Sequence, residues 1–148
     1  VWGVSFTVKN SKLGIIKLSD NTTLKLKATT VDVREAGFSP FGGIKFDVKP
    51  IAGIAIVDVP KEFREIVKNK PLIPTELPHD GWELLKVTKQ EPAIEEIVID
   101  TQRGKYVIKV EAEVVMVSRN LNYRDERGEP IYWASWVWKI SWTPYKEG

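Results

Sequence analysis

Four of the six tryptophans fall in one stretch, Tyr132-Trp133-Ala134-Ser135-Trp136-Val137-Trp138-Lys139-Ile140-Ser141-Trp142. Read with a period of two, Tyr132, Ala134, Trp136, Trp138, Ile140 and Trp142 share one face, and Trp133, Ser135, Val137, Lys139 and Ser141 share the other. Successive side chains of extended backbone point to opposite sides, so this is the pattern of a strand with one aromatic face. Helical spacing also fits Trp133, Trp136, Val137 and Ile140, but the short length and aromatic content favour strand. Such a face has to be covered by a core, a partner or a flat ligand stacked on it. Tryptophan is mostly buried in folded proteins, so the even-numbered face is read as core and Trp133 as the exposed member.

The segment before it alternates as cleanly. Tyr106, Ile108, Val110, Ala112, Val114 and Met116 face one way, with Lys105, Lys109, Glu111 and Glu113 opposite. A polar loop, Arg119 to Pro130, joins the two segments, which predicts an antiparallel ribbon. Upstream, Val4, Phe6 and Val8 alternate with Ser5, Thr7 and Lys9. A hairpin follows, Leu13 to Leu18 and Leu24 to Lys27, turning at Ser19-Asp20-Asn21-Thr22. Strand character returns at Ile44–Val48, Ile51–Val59, Trp82–Val87 and Ile94–Ile99. Pro60 opens the one helix expected, to about Asn69: proline suits the first helical position, Glu62 and Glu65 lie early, and Lys68 and Lys70 lie late. Its apolar stripe is Phe63, Ile66 and Val67, and Pro71 stops it. The Pro-rich stretch from Pro71 to Gly81 reads as an ordered extended connector that buries Leu72, Ile73 and Leu77. These elements predict a mainly β, β-rich α+β fold, an antiparallel barrel or two-layer sandwich with one short helix at about 60–69 closing an end.

At 148 residues the chain is expected to be one globular domain, of itself or of a longer protein, since it begins at Val1. No stretch is long and apolar enough for a membrane span, and no signal peptide is visible, so a soluble, cytoplasmic setting is expected. The absence of cysteine removes disulfides, thiolate nucleophiles, zinc ribbons and iron–sulfur clusters together. A single histidine, His79, excludes a two-histidine metal site within the chain, and no cofactor fingerprint is present. The formal net charge of +2, with both signs interspersed, argues against a duplex-DNA binder. Abundant Lys, Glu, Val and Ile with few labile residues resembles thermophile composition.

Four places are candidate sites. The loop between Arg34 and Asp47 carries Phe38, Phe41, Gly42 and Gly43, whose backbone N–H groups are able to form an anion nest beside Arg34 and Lys45. It matches neither phosphate-loop pattern and leads into a strand, so a turn with both phenylalanines tucked inward is the plainer reading. His79-Asp80 has the make-up of an acid–base pair, but a surface turn is the plainer reading. Arg119 to Glu129, with Tyr123 and Arg124, offers groups for a polar or anionic partner, although its acids make it self-compensating. Trp133 is a stacking or partner contact. Glu111 and Glu113 lie on one strand face beside Lys109, as a solvated surface does.

The expected function is a non-enzymatic binding or assembly module acting through protein–protein contacts, with a protein partner or a second copy of itself. A small-ligand or single-stranded nucleic-acid binder is the alternative, with nucleic acid the less favoured partner. A hydrolase using His79 with a carboxylate is the third. No cofactor and no metal are expected.

Overall fold

The structure is a computed structural model describing residues 5–146, so Val4 lies outside it. In chain order its elements are β1 (Phe6–Lys12), β2 (Gly14–Leu18), β3 (Thr23–Glu35), β4 (Phe46–Asp58), α1 (Lys61–Val67), β5 (Trp82–Leu85), β6 (Val87–Glu91), β7 (Ala93–Thr101), β8 (Gly104–Asn120) and β9 (Ile131–Pro144). The fold is mainly β, with two antiparallel sheets and one short helix.

The first sheet is built on β8. Its 17 residues hold β7 along the first half and β5 along the last four positions, and β9 runs down the whole opposite edge. Beyond β7 lies β1. The second sheet has the order β4-β3-β2-β6. Alternation brings Leu24, Leu26, Ala28 and Val33 of β3 face to face with Ile108, Val110, Ala112, Val114 and Val117 of β8, all buried. The hairpin turn between β2 and β3 is as expected: Asn21 adopts a positive φ of 70° and Asp20 Oδ1 accepts the Thr22 N–H.

Two register shifts decide which residues reach this core. Between Thr30 and Asp32 the extra residue, Val31, turns outward, Val33 returns to the core, and the Thr30 N–H goes to Glu95 Oε1 of β7 at 2.8 Å. Between Val114 and Met116 the same happens on β8. Strict alternation places Met116 inside; the bulge makes it half-exposed and gives its place to Val117.

Corners correct two further readings. Trp82–Val87 is not one strand: β5 belongs to the first sheet and β6 to the second, divided at Lys86, whose N–H and C=O both bond to Ser19. The chain returns to the first sheet at Pro92. It crosses there the passage from β1 to β2, so closely that a Cβ on Gly14 would lie 2.7 Å from the Ala93 nitrogen. Conversely, Ile44–Val48 and Ile51–Val59 are not separate. The strand β4 runs through Pro50, which an edge strand tolerates because the missing donor faces no neighbour.

The helix is shorter than the sequence implies, ending at Val67. Val67 is buried and Phe63 stacks on the Arg119 guanidinium at 4.4 Å, while Ile66 stays exposed. The connector after it is ordered, but not by burial, since Leu72 and Leu77 are exposed. Arg124 holds it: the Ile73 N–H donates to Arg124 O and the Arg124 N–H to Pro71 O, both at 3.0 Å.

Candidate functional site

An edge strand presents a row of unpaired N–H and C=O groups, which folded proteins usually blunt. Five strands among the described residues border a sheet: β1, β4, β5, β6 and β9. Of these, β5 has four residues and β6 five. The β1 edge carries Lys9 and Lys12 and is broken by a register shift after Val8. The β4 edge carries Pro50, Asp47, Lys49 and Asp58. By contrast, β9 extends for 14 residues with no proline before Pro144 and one charge, Lys139. That ammonium is engaged by Glu113 of β8, so it is drawn toward the neighbouring strand rather than standing guard over the free edge.

Both faces of β9 add to this edge. On the inner side Tyr132, Ala134, Trp136, Trp138, Ile140 and Trp142 pack on the core but remain half-buried, because no strand lies beyond them. Ala52, Ile54 and Ile56 of β4 are half-buried opposite, and β4 and β9 are not hydrogen-bonded to each other. The result is an open, aromatic-walled side of the sandwich. Trp142 is anchored, donating its indole N–H to Phe41 O at 3.0 Å and meeting Phe46 edge-on at 5.4 Å. The indole N–H groups of Trp136 and Trp138 have no hydrogen-bond partner among the described residues. On the outer side Trp133 is 58% exposed and lies in one cross-strand row with Ser118 and the exposed Leu84; Val115, Met116 and Val137 are exposed nearby.

At the start of β9 the open side widens into a cleft of about 390 Å³ lined by Ile54, Ile56, Arg64, Asp125, Glu129 and Tyr132. Its rim charges compensate one another, Arg64 Nε lying 2.9 Å from Glu129 Oε2. Beneath it is a buried polar cluster. The Asp20 and Arg119 side chains, 5% and 9% exposed, pair at 3.0 Å, and Arg119 also reaches Glu83 at 2.9 Å. The Tyr132 hydroxyl donates to Asp20 Oδ2 at 2.8 Å, which leaves the Thr22 hydroxyl to donate to the Tyr132 oxygen at 2.7 Å. Burial pushes the Tyr132 phenol well above its ordinary 10.0, so it stays a neutral donor. Both carboxylate oxygens of Asp20 are engaged, so the cluster is a clasp tying the β2–β3 turn to β8 and β9. Sequence reading places Arg119 in a solvated loop; the structure buries it at the end of β8. A turn carboxylate and an arginine 99 positions apart carry no sequence signal of their pairing.

The remaining candidates are dispersed. Arg34 sits in β3, paired with Asp32 at 2.9 Å, and Lys45 is exposed. Phe38 and Phe41 are not tucked inward but 78% and 72% exposed. The loop is braced from below by Ser39 Oγ–H to Ile44 O at 2.7 Å and by Arg103 Nη1–H to Gly43 O at 2.8 Å. Gly42 and Gly43 have φ of 78° and 81°, which is why glycine stands there. His79 is exposed with no hydrogen bond or ion pair among the described residues, and Asp80 takes part only through its backbone C=O, which accepts from Asn120. Tyr123 is half-buried, and Arg124 Nε–H donates to Lys70 O. Among the described residues no group of three or more His, Cys, Asp or Glu is placed to hold a metal ion, and no helix is long and apolar enough to cross a membrane. Comparison with protein-family models, curated proteins and solved structures finds no match for this chain.

Proposed function

We propose that this protein is a non-enzymatic binding and assembly module that acts through protein–protein contacts, with β9 as its working surface. The observation that carries this reading is the 14-residue free edge whose only charge is neutralised by its own neighbour. An extended segment of a partner would add to β9 as the next strand. Main-chain hydrogen bonds would give it affinity, and alternate side chains would cover the half-buried tryptophans. The known ways of silencing an edge, visible on β1, β4, β5 and β6, are missing where the aromatic content is highest. The dispersed placement of His79, and the full engagement of Asp20, support a binding role over a hydrolytic one.

The test is capture of an extended peptide. A labelled peptide with the sequence of residues 132–142, flanked by lysines for solubility, is titrated with the protein and followed by anisotropy. Wild type is expected to bind it. Val137→Lys, which places a second ammonium on β9 opposite Glu113 and leaves the fold intact, is expected to weaken binding at least tenfold. A wild-type protein that is monomeric at the titration concentration and captures no peptide while its melt is cooperative would remove β9 as the working surface.

A further inference from the structure

We infer that the strand β9 pairs with is β9 of a second copy, antiparallel across a two-fold axis at Trp138; this rests on the reading of β9 as a binding edge. An antiparallel edge contact is isologous: the same surface serves both copies, and the assembly closes at two. Self-pairing demands that the strand tolerate its own reversed sequence, and β9 does. With Trp138 on the axis, Trp136 lies opposite Ile140 and the small Ala134 opposite the large Trp142, so the inner row meets apolar on apolar. On the outer row Lys139 faces Val137. No like charges are opposed, because Lys139 is the strand's one charge and its partner is Glu113 of its own β8.

The size also suits a second copy. A strand of 14 residues spans about 48 Å at about 3.4 Å per residue. With two sheets about 10 Å apart, the edge is about 15 Å thick and presents roughly 700 Å² per copy, near the ~800 Å² per partner of a standard interface. Pairing over the central nine residues, Ala134–Trp142, contributes about ten main-chain hydrogen bonds, the usual number for such an interface. Joining two β9 strands makes one continuous antiparallel sheet and covers the open side beside Trp136 and Trp138.

The chain has no cysteine, which makes the register directly readable. In the proposed pairing residue 137 of one copy is directly opposite residue 139 of the other as a non-hydrogen-bonded pair, because the Tyr145 N–H donates to Lys105 O and so sets the odd-numbered backbone groups of β9 toward β8; the Cα separation is about 4.5 Å, which a disulfide accepts. Val137→Cys/Lys139→Cys is oxidised with diamide beside each single variant and an outer-face control on β3, Lys25→Cys. The expected result is a covalent dimer for the double variant, at least tenfold above either single variant and the control. Wild type is expected to be a dimer by light scattering at 100 µM, and Val137→Lys, which opposes two ammonium groups across the axis, a monomer whose melt stays cooperative. Equal cross-linking of Val137→Cys alone overturns the Trp138 axis. A wild type that stays monomeric overturns self-pairing; if it still captures the β9 peptide, the binding edge stands and only the second copy falls. If it captures no peptide either, both fall.

Discussion

Replacing Asp20 by asparagine tests whether the clasp beneath β9 holds the end of the sandwich together. Asp20 accepts three hydrogen bonds, from the Thr22 N–H, the Arg119 guanidinium and the Tyr132 hydroxyl. Asparagine keeps one acceptor oxygen and turns an NH₂ toward donors. Arg119 is then left, 9% exposed, with Glu83 as its one counter-charge, and its Nε already has no partner. Breaking one side of a buried ion pair costs about 3–5 kcal/mol, because the remaining charge has lost both water and counter-charge. Glu83 is more than half exposed and stays in contact, so the lower end applies, about 3 kcal/mol. For a chain of this size that is a fall of about 10 °C in Tm. The assay is urea unfolding at neutral pH, with the midpoint shifting and the slope unchanged. Arg119→Met separates the pair from general damage, since it removes the stranded charge while filling the same space. Asp20→Asn/Arg119→Met is expected to be at least about 1 kcal/mol more stable than Asp20→Asn alone. A loss below about 1 kcal/mol for Asp20→Asn, or strictly additive effects in the double variant, would refute the clasp.

Gly14→Ala puts a methyl 2.7 Å from the Ala93 nitrogen, so backbone must move; a loss of about 2–3 kcal/mol is expected in the same unfolding assay. The native Tyr132 phenol titrates above the ordinary 10.0 it has when unfolded, so the folded state holds the extra proton and stability falls as pH rises past 10. Tyr132→Phe should flatten that alkaline fall in Tm, and an equal slope in both proteins would show the phenol is not its source. Millimolar phosphate should leave Tm unchanged, because Arg34 is taken by Asp32 and Arg103 by the Gly43 carbonyl. A shift that Arg34→Ala abolishes would instead establish an anion site.

Much of this architecture is legible from local pattern. Alternation in Tyr106–Val114 and Tyr132–Trp142 fixes strand, face and antiparallel partner, because a period of two survives wherever one face is buried. Pro60 with flanking acids marks the helix start, and Asp20-Asn21 marks a turn for reasons internal to those side chains. Trp133 is exposed as its place on the polar face implies.

What escapes the pattern depends on distant chain. Met116 leaves the core because a single bulge reverses parity, and nothing in Val114–Val117 announces which residue is extra. Trp82–Val87 is cut at Lys86 because Ser19, far upstream, takes both its backbone groups. Arg119 is buried because Asp20 and Phe63 come to meet it. The sequence shows that the tryptophans share a face; only the stacking order of strands makes β9 a border rather than a centre. An apolar alternating strand looks the same in either position, since its side chains record which face is buried and carry no mark of whether a neighbour's backbone lies alongside.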